Sequence, residues 1–136
     1  MKDKNYYILL GGPEHLDFFE NNQNYSDARW FWTVPQSAKS GEAAFVYLTA
    51  PLSRIVGKVL LIGEPFYNVN EFDNPKTQNR WMAEIQMVSY FKPKSDLTMS
   101  GLRALFPDWR WLSYPRSKAK IPAEIVAPFL ELINSF

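Results

Sequence analysis

The segment AAFVYLT at residues 43–49 decides the fold, together with the segment RIVGKVLLI at residues 54–62. Both segments are rich in β-branched and aromatic residues, which favour strands, and only the short stretch 51–53 separates them. A connection this short joins strands that run in opposite directions. The sequence therefore predicts an antiparallel hairpin. We expect four of its residues in the core: Phe45, Tyr47, Ile55 and Val59.

A strand, a helix and an aromatic strand are expected before this hairpin. Residues 6–10 form an aromatic and β-branched run that stops at the pair Gly11-Gly12, so they predict a strand and a turn. Pro13 suits the first position of a helix, which is expected to end near residue 21. If the segment WFW at 30–32 is extended, the two-residue period of a strand places both indoles on one face.

The part of the chain after the hairpin predicts one long strand and two helices. Residues 65–80 are polar and lack periodicity, which makes them a candidate functional loop. A strand is expected at 81–91, a short helix ending at Pro107, an extended piece at 109–111 and a closing helix at 121–132. This order predicts a mixed α/β (α+β) barrel, mostly antiparallel, with flanking helices.

The composition excludes several classes of protein. The 136 residues fit one domain spanning 1–136, and 46% of them are hydrophobic, enough for a folded core. No apolar stretch is long enough for a membrane span or a secretion signal, so we expect a cytoplasmic protein with no membrane partner. The chain has no cysteine, and its one histidine, His15, has no second histidine with which to hold a metal. Neither a cofactor nor a metal site is expected.

The net charge of +1 hides an uneven distribution of charge. Between Lys76 and Lys120 there are nine basic residues and three acidic ones, so this half is basic and the remainder is acidic. Basic side chains interleaved with tryptophans are typical of nucleic-acid binding, because cations contact phosphates while indoles stack on bases. A solvated charged face is the alternative interpretation.

Several of these segments resemble the EVE domain of the PUA-like superfamily. The run WFWTVP at 30–35 is followed by SGEAAFVY at 40–47 and IVGKV at 55–59, in the order typical of that family. Lys39-Ser40-Gly41-Glu42 stands where the family has a K-x-G-D turn, and WMAEI at 81–85 follows in its turn.

The resemblance extends over nearly the whole chain. The WRW piece at 109–111 and the helix that opens at Ile121-Pro122 also follow the order of the family. The family's frequent G-V-R-N is absent, because TVPQ stands at 33–36. The pair Trp32-Thr33 is also similar to the W-S-T of the related YTH domains, which hold a methylated adenine in an aromatic cage.

The resemblance implies a PUA-like barrel that reads a modified, for example methylated, base flipped out of DNA or RNA. Stacking in an aromatic pocket stabilises such a base by about 1–3 kcal/mol. Trp32 is expected in the cage, with Trp30 and Trp81 as walls. Further ligand contacts are expected from Gly11, Gly12, Thr33 and Asn79. Phosphates are expected to contact Arg80, Arg110, Arg116, Lys118 and Lys120.

Two other functions stay open. The superfamily also contains ASCH domains, some of which resemble amidohydrolases acting on acylated nucleosides, and Thr33, Lys58 and Glu84 could supply such chemistry if they converged. We nevertheless expect a protein that is not an enzyme. Alternatively the tryptophans anchor a protein partner, in which case binding would not weaken steeply with salt. The sequence leaves open whether the chain acts alone or within a larger restriction or effector protein.

Overall fold

The computed structural model describes residues 5–22, 28–69 and 79–135. The strands in this part of the chain are β1 (Tyr6–Gly11), β2 (Arg29–Thr33), β3 (Ala43–Leu48), β4 (Arg54–Leu61), β5 (Phe66–Asn68), β6 (Arg80–Tyr90) and β7 (Lys118–Lys120). The α-helices are α1 (Leu16–Asn21), α2 (Met99–Leu105) and α3 (Ala123–Asn134). Short 3-10 helices lie at Pro13–His15, Ser95–Leu97 and Arg110–Leu112.

The strands form one curled sheet in the order β2-β6-β4-β3-β1-β7, and β5 also pairs with β6. Strands β1 and β3 are parallel, whereas the other pairs are antiparallel. The sheet has the shape of a half-barrel, with β2 and β7 at its edges. The expected mixed, mostly antiparallel α+β architecture is therefore present in outline, and the sheet is curled without a strand pair that closes it among the described residues.

The predicted hairpin is confirmed. Strands β3 and β4 pair antiparallel, from Ala43 opposite Leu60 to Leu48 opposite Arg54. All four residues expected in the core are buried. The local prediction succeeds because both strands are apolar and the connection between them is short.

Helix α1 packs closely on the sheet at Gly57. A Cβ atom at this position would lie 2.7 Å from Cδ1 of Phe19 and 2.7 Å from the carbonyl oxygen of Ser89. The pairing of β4 with each of its neighbours also shifts register close to this residue. The irregular backbone and the close approach of α1 leave no room for a side chain, which explains the glycine.

Apolar side chains pack on both faces of the sheet because successive residues of a strand point to opposite sides. Leu9 and Val46 belong to a cluster that includes Phe19 of α1. Their neighbours Ile8 and Phe45 belong to a second cluster, which α2, α3 and the 3-10 helix between them cover. Burial on both faces explains why β1 and β3 are continuous apolar runs rather than alternating ones.

The prediction of an extended piece at 109–111 was wrong. Arg110–Leu112 is a 3-10 helix, and Trp109 and Trp111 are buried in the second cluster. The ring centre of Trp109 lies 5.5 Å from that of Phe129, and the ring centre of Trp111 lies 5.5 Å from that of Tyr47. Burying two indoles against a helix and a strand outweighs the alternation of the sequence.

The loop expected at 65–80 is interrupted by secondary structure. It contains β5, whose residues Phe66–Asn68 pair with the first three residues of β6. Residues 70–78 lie outside the described part of the chain. Strand β5 was not predicted because its three residues are too few to show the two-residue period of a strand.

The three predicted helices are present with shifted ends. A 3-10 helix at Pro13–His15 precedes α1, α2 ends two residues before Pro107, and α3 begins after Pro122. Within the described ranges, no helix is both long and apolar enough to cross a membrane.

Candidate functional site

An open cleft of about 940 Å³ lies beside β2. All five residues of β2, Arg29–Thr33, line it, as expected where a cleft borders the edge strand of a sheet. Opposite β2 stand the end of β1 and the turn that follows it. Residues from β6, the segment before β7 and Thr49 after β3 complete the lining. We refer to this space as the edge cleft.

The main chain of β2 explains why the edge cleft forms here. The amide of Val34 donates to the carbonyl of Trp81 at 3.0 Å, and the amide of Met87 donates to the carbonyl of Ala28 at 2.8 Å. Because hydrogen bonding alternates along an antiparallel strand, the even-numbered residues of β2 bond to β6. The main-chain groups of Thr33 therefore point away from β6, on the free side of the strand.

Trp32 forms a largely buried part of the lining. Its exposed fraction is 6%, and it belongs to the first apolar cluster. The imidazole of His15 lies 4.8 Å from the indole between ring centres, and the ring of Phe19 lies 6.3 Å away. A Cβ atom at Gly11 would lie 2.5 Å from Cζ2 of Trp32. The indole is therefore held firmly and has little free surface for a ligand.

Trp30 provides the accessible indole. It pairs with Ile85 as Trp32 pairs with Ala83, so both indoles lie on one face of β2, as predicted. The exposed fraction of Trp30 is 55%, and the ring centre of Phe18 is 6.2 Å away. Trp30 can thus offer an aromatic surface to a ligand while Phe18 supports it.

The turn after β1 adds polar side chains to the cleft. Nε2 of His15 lies 3.6 Å from Oε1 of Glu14, and both side chains are more than a third exposed. The carboxylate of Glu14 occupies the space that a side chain at Gly12 would need. A side chain at Gly12 would displace the exposed end of Glu14 from the turn.

Basic groups lie at the side of the cleft where β6 begins. Nη1 of Arg80 donates to Oγ of Ser117 at 3.4 Å, and the amide of Leu10 donates to the carbonyl of Ser117 at 2.9 Å. Burial, and secondarily the neighbouring guanidinium of Arg80, lowers the pKa of Lys118. Neither cation forms an ion pair with an acidic residue in the described part of the chain. The pair is therefore open to an anion.

The structure brings only some of the predicted ligand residues together. Gly11, Gly12, Trp30, Trp32, Thr33 and Arg80 line the edge cleft. Trp81 and Asn79 do not: the indole of Trp81 packs edge-on against Tyr67 at 5.7 Å, and the amide of Asn79 donates to the carbonyl of Asn68 at 2.7 Å. Asn79 has a φ of 58°, which places it in a turn before β6.

Four of the five predicted phosphate-binding residues do not line the edge cleft. Lys118 and Lys120 belong to β7, where Lys120 pairs with Tyr7 and is exposed. Arg110 and Arg116 are exposed on either side of the turn that precedes β7. Only Arg80 reaches the lining itself, so the remaining cations can act on a ligand only outside the cleft.

Sequence reasoning missed the roles of His15, Glu14 and Ser117 in this lining. The sequence assigned neither His15 nor Glu14 to the ligand site, yet both line the edge cleft. The pair Gly11-Gly12 carried the signal, because a tight turn folds the residues after it back over the strand end. Ser117 gave no signal, since its position depends on the pairing of β7 with β1.

The three residues considered for catalysis do not all line the cleft. Thr33 and Glu84 do, whereas Lys58 pairs with Ser89 inside the sheet and is not part of the lining. The cations that do line it are Arg29 and Arg80.

Comparison with known proteins identifies the fold. No protein-family model and no curated protein matches the chain. A crystal structure of a Pseudomonas syringae protein is similar with a TM-score of 0.70 at 17% identity, covering 93% of this chain and 98% of that one. A hypothetical protein from Leishmania major reaches a TM-score of 0.68 at 14% identity, covering 98% and 96%. ASCH from Zymomonas mobilis reaches 0.61 at 13% identity, covering 96% of each chain.

At such low identities the similarity concerns the fold alone. What this chain shares with these structures is a curled mixed sheet with helices packed on it.

Proposed function

We propose that this chain is a nucleic-acid-binding module that reads a modified base in the edge cleft, as an EVE-like member of the PUA-like superfamily, and that it is not an enzyme. The observation that carries the proposal is the combination, in and beside one open cleft, of an accessible indole at Trp30 with cations at Arg80 and Lys118. The indole can stack on the base, and the cations can contact the phosphate. We further propose that it acts in the cytoplasm, alone or within a larger protein.

The size of the cleft supports a ligand as large as a nucleotide. Pockets for small molecules and cofactors commonly have volumes of about 300–1,000 Å³, and the edge cleft has about 940 Å³. It is open to solvent on one side, so a base that belongs to a longer strand could enter while its backbone stays outside.

The aromatic groups support stacking chiefly on Trp30. Trp32 is only 6% exposed and lies beneath His15, so it is better placed to position Trp30 and the turn after β1 than to cover a base. A methyl group on the base would gain apolar contact with the indole of Trp30. We therefore assign the main stacking surface to Trp30 and the floor to Trp32.

Polar groups in the cleft support recognition of a base edge. Glu84 lines the cleft and is partly buried, and its carboxylate has no hydrogen-bond or ion-pair partner among the described residues. Glu84 pairs with Phe31 whereas Trp30 pairs with Ile85, so the carboxylate lies on the face of the sheet opposite to Trp30. It can accept a hydrogen bond from an exocyclic amino group, such as that of cytosine, at the free edge of β2. The main-chain groups of Thr33, which point away from β6, offer a donor and an acceptor beside it.

A binding screen tests the proposal. Short single-stranded oligonucleotides with 5-methylcytosine, 5-hydroxymethylcytosine or N6-methyladenine would be compared with their unmodified counterparts by fluorescence anisotropy, in DNA and in RNA. We expect one modified base to bind more tightly than its plain counterpart, with affinity that falls as salt rises. Equal binding of modified and plain strands would contradict base reading, and binding insensitive to salt would favour a protein partner.

The proposal that this chain is not an enzyme has its own test. We expect acylated nucleosides to remain intact on incubation with the protein, as followed by chromatography. Hydrolysis that is lost in Glu84→Gln would instead assign the cleft to an amidohydrolase, and Lys58→Gln would serve as the control because Lys58 does not line the cleft.

A further inference from the structure

Tyr114 is the most exposed of the large hydrophobic side chains in the described part of the chain, with an exposed fraction of 80%. It lies in the turn between the 3-10 helix Arg110–Leu112 and β7. A single exposed aromatic residue is common on protein surfaces and needs no function. Tyr114 differs from a scattered surface residue because hydrogen bonds hold its turn in place.

Hydrogen bonds fix the turn on both sides of Tyr114. Before it, the amide of Tyr114 donates to the carbonyl of Arg110 at 3.3 Å. After it, Nε1 of the buried Trp111 donates to the carbonyl of Arg116 at 3.1 Å. The amide of Leu10 in β1 then holds the carbonyl of Ser117 at 2.9 Å. The main chain at Tyr114 is therefore held in place, so little main-chain entropy is lost when a base stacks on its ring.

The same turn borders the edge cleft. Ser117 lines the cleft and accepts a hydrogen bond from Arg80. Three residues of extended chain span at most about 10–11 Å, so the backbone of Tyr114 lies within that distance of Ser117. Tyr114 therefore lies at the Ser117 side of the cleft, within reach of a nucleotide that leaves the cleft on that side.

The charge around Tyr114 fits a nucleic-acid backbone. Arg110 and Arg116 flank it and are both exposed, and neither forms an ion pair with an acidic residue that the structure describes. An aromatic ring between cations is the arrangement that proteins use to hold single strands, since the ring stacks on a base and the cations contact phosphates.

We propose that Tyr114 stacks on the base adjacent to the one held in the edge cleft, and that the ligand is therefore a single strand. This inference rests on the proposed function. In a duplex the adjacent base stays paired inside the helix, so Tyr114 would reach its face only by inserting into the gap that the flipped base leaves, whereas a single strand presents that face without this step. The edge cleft recognises the modification, and Tyr114 selects the single-stranded form.

The test compares Tyr114→Ala with Tyr114→Phe, which keeps the ring, and with Leu105→Ala, which removes another exposed apolar side chain on α2. The probes are trinucleotides with 5-methylcytosine or N6-methyladenine at the centre, the same trinucleotides with abasic neighbours, the free modified nucleosides, and duplexes carrying the same bases. Affinities would be measured by calorimetry and melting temperatures by circular dichroism.

We expect Tyr114→Ala to weaken binding of the intact trinucleotides about five- to a hundred-fold, with no change for the free nucleosides or the trinucleotides with abasic neighbours. Tyr114→Phe and Leu105→Ala should bind as the unchanged protein does, and all three variants should keep its melting temperature. Unchanged affinity of Tyr114→Ala for intact trinucleotides, or equal binding of duplexes and single strands, would overturn the inference and leave the proposed function standing. Failure of the unchanged protein to bind any probe would overturn both.

Discussion

Gly11 and Trp32 are in direct contact across the edge cleft. A Cβ atom at Gly11 would lie 2.5 Å from Cζ2 and 3.1 Å from Cη2 of the indole. Gly11 ends β1 and Trp32 lies in β2, two strands that are not paired with each other. The contact between these two residues therefore sets the distance between the two sides of the cleft at this point.

Gly11→Ala should force the indole of Trp32 or the end of β1 to move. Overpacking of this kind costs about 1–3 kcal/mol of unfolding free energy, which a denaturant titration would measure. The matched control is Gly63→Ala, because a Cβ atom there would lie 3.7 Å from Cβ of Glu84, an ordinary separation. Equal stability of the two variants would show that Trp32 adjusts without resistance.

The two tryptophans of β2 should respond differently to replacement by alanine. Trp32→Ala removes a buried indole and should cost about 3–5 kcal/mol of unfolding free energy, lowering the melting temperature. Trp30→Ala removes an exposed one and should cost less than about 1 kcal/mol. If Trp30 stacks on the base, the same change should weaken binding of the preferred modified oligonucleotide about five- to a hundred-fold.

The contrast between these variants decides which indole contacts the ligand. Trp30→Ala with full affinity would remove the stacking surface that we assign to it. A fully folded Trp32→Ala variant that loses only the preference for the modified base would return the central role to Trp32.

The local parts of the fold could be predicted from the sequence. The hairpin of β3 and β4 follows from two apolar runs with a short connection, and the common face of Trp30 and Trp32 follows from the period of a strand. The proximity of Gly11 to Trp32 was expected only from the resemblance to a family. In each case neighbouring residues, or a motif of known spacing, carried the information.

The remaining parts depend on packing between distant segments. Trp109 and Trp111 have the alternation of a strand, but their burial against α3 and β3 produces a 3-10 helix. Trp81 was expected in the pocket, yet it pairs with Tyr67 of β5 and its indole packs against the ring of that tyrosine. His15 acquires its position over Trp32 only when β1 and β2 come together.

Removing the cations beside the edge cleft should change the salt dependence of binding. The double variant Arg80→Gln with Lys118→Gln should lower affinity about equally for modified and plain strands. It should also reduce the slope of log K against log salt by about 0.7 for each phosphate that the protein no longer neutralises. Lys92→Gln with Lys94→Gln removes the same charge from another part of the surface and is the matched control.

Adding Arg116→Gln and Lys120→Gln in turn would show how far the phosphate path extends from the cleft. Each residue on the path should reduce the slope by a further step of similar size. If Arg80→Gln with Lys118→Gln and its control Lys92→Gln with Lys94→Gln had the same slope of log K against log salt, the basic half would be a solvated charged face.

The ionisation of Lys118 gives the last prediction. Burial, and secondarily the charge of Arg80, lowers the pKa of Lys118 in the folded protein. At a pH between the folded and the unfolded pKa, the unfolded chain therefore binds more protons than the folded one. The free energy of unfolding consequently increases as pH rises through this window. Arg80→Gln should raise the pKa only in part, because burial is the larger cause. A bound phosphate should raise it further by favouring the charged amine. Nuclear magnetic resonance of reductively methylated lysines, with Lys118→Arg to assign the signal, would follow all three values. A pKa that does not change when a saturating oligonucleotide is added would exclude Lys118 from the phosphate-binding residues.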